Sequence, residues 1–105
     1  MKYEKEFMTM LEKCGEESEI LVAIEELNEL AQALCKYLRI KRNISYLAAD
    51  EYEKKRLKNL ANVKEEIADV HLMAGMMKWH FGEQEIDEIE KQKVARVLGK
   101  IRARV

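Results

Sequence analysis

Residues 16–42 read EESEILVAIEELNELAQALCKYLRIKR, a run without glycine or proline in which Ile20, Ile24, Leu27, Ala31, Leu34 and Leu38 recur at the helical repeat. The stripe predicts one uninterrupted helix from about Glu16 to Arg42, roughly 40 Å long at about 1.5 Å per residue. A helix of that length in a chain of 105 residues points to packing against more than its own neighbours. A homodimer or homotetramer is therefore expected.

Working outward, Gly15 separates this helix from a short first one over residues 2–13. On the other side, Asn43-Ile44-Ser45 suggests a turn, and Asp50-Glu51-Tyr52-Glu53-Lys54-Lys55-Arg56 is polar with no strong apolar face. Residues 43–60 are accordingly expected to form a loop containing a short helix. A third helix is predicted from Asn62, whose side chain can cap it, with Glu65 in the capping-box position, and it runs to Phe81. A fourth follows Gly82 and carries Ile86, Ile89, Val94, Val97, Leu98 and Ile101 to a basic end that suits the helix dipole. With no proline and only four glycines, the chain lacks the turns that sheets need. The fold class is all-α: a single domain over 1–105, an antiparallel helical bundle built on two long helices and completed by oligomerisation.

The net charge of −1 argues against a nucleic-acid partner, but the charge is unevenly spread. Residues 1–30 hold nine Glu and three Lys, whereas Lys91, Lys93, Arg96, Lys100, Arg102 and Arg104 stand in an acid-free final stretch. The longest apolar run, Ile20 to Ile24, is too short for a membrane span, and the start has no signal-peptide apolar region. A cytoplasmic protein is expected, with Cys14 and Cys35 reduced.

Two acidic turns stand out. On the third helix Glu66 and Asp69 share a broad face with Val70, Met73, Met76, Met77 and His80, while Lys64, His71 and Lys78 lie on the other side. On the second, Glu26 and Glu29 lie near Val22, Leu30, Ala33 and Tyr37, away from the main apolar stripe. Four carboxylates gathered in a partly desolvated groove repel one another unless some are protonated or a cation sits between them. Oxygen-only ligands suit Mg²⁺ or Mn²⁺. A di-iron carboxylate bundle is disfavoured, because neither acidic turn has the Glu-x-x-His spacing.

Glu25-Glu26-Leu27-Asn28-Glu29-Leu30, followed by Glu65-Glu66-Ile67-Ala68-Asp69-Val70, resembles the E-E-x-x-E and E-x-x-D signature of the MazG-like nucleoside triphosphate pyrophosphohydrolases, the all-α NTP pyrophosphatase superfamily. The resemblance runs from about Glu16 to Arg104, although the 36 residues between Glu29 and Glu66 exceed the usual connection of compact MazG-like modules. It implies Mg²⁺-dependent cleavage of a nucleoside triphosphate between the α and β phosphates, giving a monophosphate and pyrophosphate. It also implies that Glu26, Glu29, Glu66 and Asp69 are the metal-binding catalytic carboxylates, while Glu25 receives no role. Dimeric dUTP pyrophosphatases and phosphoribosyl-ATP pyrophosphohydrolases belong to the same superfamily, so the base is left open.

Lys93, Arg96 and Lys100 are spaced to form a cationic stripe that could hold phosphates, or simply border a solvated helix. Lys93 and Arg96 approximate a Lys-x-x-Arg element found late in many members of that superfamily, which favours them as substrate-binding residues. Trp79, His80, Tyr37 and Tyr46 could stack on a base, or serve as core or interface. The alternative to an enzyme is a non-catalytic helical oligomerisation or adaptor module.

Overall fold

The computed structural model describes residues 1–43 and 47–104, and every regular element among them is helical. Helix α1 spans Glu4–Cys14, α2 spans Glu16–Arg42 and α3 spans Ala49–Ala103. Among the described residues, no helix is long and apolar enough to cross a membrane.

The α2 boundaries agree with the sequence reading, and α1 starts two residues later, at Glu4, because Tyr3 takes a left-handed conformation (φ 70°). The segment after α2 differs more. Asn43 closes α2 by donating its N–H to the carbonyls of Arg39 and Ile40, but the helix resumes at Ala49 rather than at Asn62. Asn62 and Glu65 therefore sit inside a helix, not at its start. Ile44, Ser45 and Tyr46 lie outside the described residues.

Residues 49–81 are helical because they have a partner. Tyr52, Arg56, Asn59, Val63, Glu66, Val70, Met73 and Met77 are all buried or half-buried and recur at alternating steps of three and four. This is the 3.5-residue period of a helix lying along another helix. On α2 the matching seam is Glu19, Val22, Glu26, Leu30, Ala33 and Ile40. Asn59 meets Ala33 and Glu66 meets Glu26 and Glu29, so position numbers fall along one helix as they rise along the other. The two run antiparallel.

Gly82 adopts φ 130°, ψ 91° and breaks α3 into two arms, 49–81 and 83–103. A side chain there would be strained, since this region is open essentially to glycine alone. Across the break the Lys78 ammonium pairs with the Asp87 carboxylate and, at 3.2 Å, with Glu90. The sequence reading placed a helix boundary here, and the backbone does leave helical geometry at Gly82, with the two arms stapled across the bend.

Helix α1 packs at the same end, against the last turns before the bend. Phe7 is 2% exposed, lies over Gly75 and approaches Trp79 with ring centroids 6.4 Å apart. Burying one phenylalanine is worth about 2–3 kcal/mol.

The apolar stripe that announced α2 does not face α3. Ile24, Leu27, Leu34 and Leu38 are 49%, 56%, 43% and 48% exposed, as are Ile89, Val94, Val97, Leu98 and Ile101 on the second arm. The radius of gyration, 18.3 Å, exceeds the roughly 13 Å of a compact chain this long. The accessible surface of 8460 Å² likewise exceeds the roughly 6100 Å² of a compact monomer of this mass.

Candidate functional site

Glu26 and Glu66 occupy seam positions between α2 and α3, where an apolar side chain would pack without electrostatic cost. Each is half-buried, and Oε2 of each is sealed from solvent with no hydrogen-bond partner. Glu29, one helical turn from Glu26, is exposed at the groove's edge. Glu26, Glu29 and Glu66 each bring an oxygen within 4.8 Å of the other two. Asp69 is exposed and outside that close triple, but its carboxyl lies beside Glu26. The arrangement is two inner carboxyls and two outer ones.

The electrostatics follow from this crowding. Burial pushes the Glu26 carboxyl above its ordinary pKa, and the charges of Glu29, Asp69 and Glu66 push it further. Glu66 is raised by burial, then by Glu29, with which it can share a proton, then by Asp69 and Glu65. The charges acting most strongly on both groups are acidic. Two orphaned, desolvated carboxylate oxygens facing other carboxylates form a donor set of hard oxygens suited to a divalent cation such as Mg²⁺ or Mn²⁺. Their chemistry fits that ion and does not fit a thiolate- or imidazole-seeking metal.

Lys93 and Arg96 are exposed on the second arm, beyond Gly82, and neither forms an ion pair among the described residues. Trp79 joins Phe7 in the aromatic contact under α1. His80 Nε2 lies 3.5 Å from Glu16 Oε2, and its ring meets Phe81 edge-on. These contacts tie the end of the first arm to the start of α2. Tyr37 borders a small crevice with Tyr52 and Arg56, and Tyr46 lies outside the described residues. Glu25 is exposed.

Sequence reading missed Asn59. It is 3% exposed, donates Nδ2 to the Ala33 carbonyl at 3.3 Å, and leaves its own Oδ1 unpartnered. The signal was present, since Asn59 precedes Glu66 by two turns on the same seam. It was hidden by the expectation of a loop.

No family model matches the chain, and no curated protein or solved structure is detectably similar to it.

Proposed function

We propose that this chain is a Mg²⁺-dependent nucleoside triphosphate pyrophosphohydrolase of the MazG-like type, hydrolysing its substrate between the α and β phosphates. The observation that carries the reading is the pair of sealed, unpartnered oxygens of Glu26 and Glu66 within a 4.8 Å cluster completed by Glu29. Two carboxylates on a helix–helix seam weaken the packing of the protomer alone. A cation bound between them removes that cost, and nothing in a purely structural role requires it.

In this reading Glu26, Glu29, Glu66 and Asp69 hold Mg²⁺, with Mn²⁺ as a substitute. The ion supplies charge neutralisation on phosphate oxygens and an acidified water. The chain's own part is positional. Glu26 and Glu66, fixed on two rigid helices, set the inner coordination. Glu29 and Asp69, at the rim, are reachable by solvent and can accept the proton of the attacking water. Lys93 and Arg96 are assigned to the phosphates or to departing pyrophosphate.

We further propose that the bundle is completed by a second copy, as a dimer or a dimer of dimers. The excess over a compact monomer, roughly 2300 Å² from the surface scaling above, is more than the approximately 800 Å² per partner of a standard interface. The seam that α2 turns to α3 and its exposed apolar stripe call for two helical neighbours, and α3 of the same chain is only one. An adaptor module would share this feature, but has no need of the half-buried carboxyls of Glu26 and Glu66.

The deciding experiment is incubation with Mg²⁺ and a panel of ribo- and deoxynucleoside triphosphates, resolving pyrophosphate from orthophosphate. Pyrophosphate release that Glu66→Gln lowers by about a hundredfold or more supports the reading. Absence of pyrophosphate across the panel from folded, metal-loaded protein leaves the adaptor.

A further inference from the structure

The second arm of α3 carries an apolar stripe that its own protomer leaves uncovered. Val94, Val97, Leu98 and Ile101 share one helical face and are each about half exposed. Every residue from Asp87 to Arg104 is open to solvent. Lys91 and Arg102 border the stripe on one side, and Lys93, Arg96 and Lys100 border it on the other. Cations on both borders oppose the pairing of one arm with another, so the stripe calls for an apolar surface flanked by acids.

Helix α2 offers such a surface, and its charges fix the direction of approach. Six glutamates fall within residues 16–29, followed by Lys36, Arg39, Lys41 and Arg42 with no acid among them. The arm repeats that order, with five acids over 83–90 and then six cations over 91–104; of the acids, Asp87 and Glu90 answer Lys78. Two helices charged in this way attract only when they run antiparallel. Within the protomer the charges of α2 meet their own kind. Its acidic half lies beside Glu66 and Asp69, and Lys36 and Arg39 line one cleft with Lys55 and Lys58. The arm cannot correct this in its own chain. It starts beside the start of α2, where His80 lies 3.5 Å from Glu16, so an arm folded back would run parallel and set acid on acid. An antiparallel approach requires a second copy.

We propose that the arm 83–103 is the docking element of a reciprocal exchange, in which the arm of each copy lies antiparallel along the outer face of α2 in the other. The stripe from Val94 to Ile101 packs against Leu21, Ile24 and Leu27, which are exposed on that face. Lys91 and Arg102 come beside Glu17 and Glu25, none of which has an ion pair among the described residues. An arm of about 30 Å fits within the roughly 40 Å of α2, and the exchange closes at two copies with two-fold symmetry. It covers both apolar stripes. Pairing of α2 with α2 would leave the arm bare, and an anionic lipid surface would take the arm and leave α2 bare. The inference rests on the assembly proposed above and not on the reaction.

The test is sedimentation velocity of the full chain at micromolar concentration and low salt, where the parent is expected to be a dimer. Lys91→Glu with Arg102→Glu reverses the arm, and Glu17→Lys with Glu25→Lys reverses its dock. Each double variant sets like charge on like at both contacts, and should weaken the dimer by about tenfold or more while circular dichroism shows helicity retained. An equimolar mixture of the two variants should sediment as a dimer again, because each contact of the mixed pair then joins opposite charges. That recovery is not expected of an arm bound to its own chain, and α2–α2 pairing would leave the arm variant dimeric. A parent dimer that the arm variant leaves intact, or two weakened variants that mixing does not restore, would overturn the exchange while the assembly stands. A monomeric parent would overturn both, and its binding to phosphatidylserine-containing vesicles, lost in the arm variant, would reassign the arm to a lipid surface.

Discussion

Asn59 donates its side-chain amide to the Ala33 carbonyl at 3.3 Å from an almost fully buried position, joining α2 to a stretch of α3 whose sequence is otherwise polar. The bond fixes the register of the two helices about two turns from the acidic cluster. Replacing the side chain removes both the bond and its packing. Asn59→Ala is expected to destabilise the protein by about 1–3 kcal/mol, read from urea unfolding.

Stability should respond to pH through Glu66 in an unusual sense. Its folded pKa lies above its unfolded value, so the folded state binds the proton more tightly. Stability from this group is greatest when it is protonated, and is lost as pH rises from the ordinary glutamate value to the raised one. Without divalent metal, Glu66→Gln should therefore be more stable than the parent at neutral pH, and the difference should shrink as pH falls through that window. Thermal unfolding of both proteins in EDTA across pH 4–7 checks this; a difference that does not vary with pH would contradict it.

Protons and metal compete for the same oxygens. Mg²⁺ should raise the unfolding temperature at neutral pH and lose that effect as Glu26 and Glu66 take up protons. Calorimetric titration at neutral and acidic pH is the measurement, and Glu26→Gln should weaken binding at neutral pH by about tenfold or more.

The bend at Gly82 should be intolerant of a side chain. Gly82→Val, at φ 130° and ψ 91°, is expected to cost about 2–3 kcal/mol or to move the second arm. Solution scattering reports the second outcome as a changed radius of gyration, and denaturant unfolding reports the first.

The exposed seam of α2 gives a prediction for assembly. Leu27→Lys and Leu34→Lys, at positions 56% and 43% exposed, should leave helicity unchanged while shifting the sedimenting species toward monomer. A parent chain that sediments as a monomer at micromolar concentration would contradict the assembly.

Helix α2 was legible in the sequence because Gly15 and an unbroken helix-forming run bound it. The apolar stripe showed that the helix must be covered but not by what; the helix turns its carboxylate seam to α3 and the stripe outward. The start of α3 was misread because the spacing of Asn62 and Glu65 satisfies a capping pattern wherever it occurs. The seam from Tyr52 to Val63 carries Arg56 and Asn59 in place of apolar residues, which hid the helix. For the candidate site, spacing alone paired Glu26 with Glu29 and Glu66 with Asp69. That Glu26, Glu29 and Glu66 converge more tightly than Asp69 depends on how the helices cross, which one helix's spacing cannot reveal.

The staple between Lys78 and the carboxylates of Asp87 and Glu90 has a mechanical consequence. The arm after Gly82 is a rod of about 30 Å, so a rotation of about 10° at the bend would sweep its tip through about 5 Å. Whatever grips residues near Arg102 thus works with leverage on a joint secured by solvent-facing ions, which salt weakens. Ionic strength should tune where the far end of the molecule points before it alters how firmly the helices hold together.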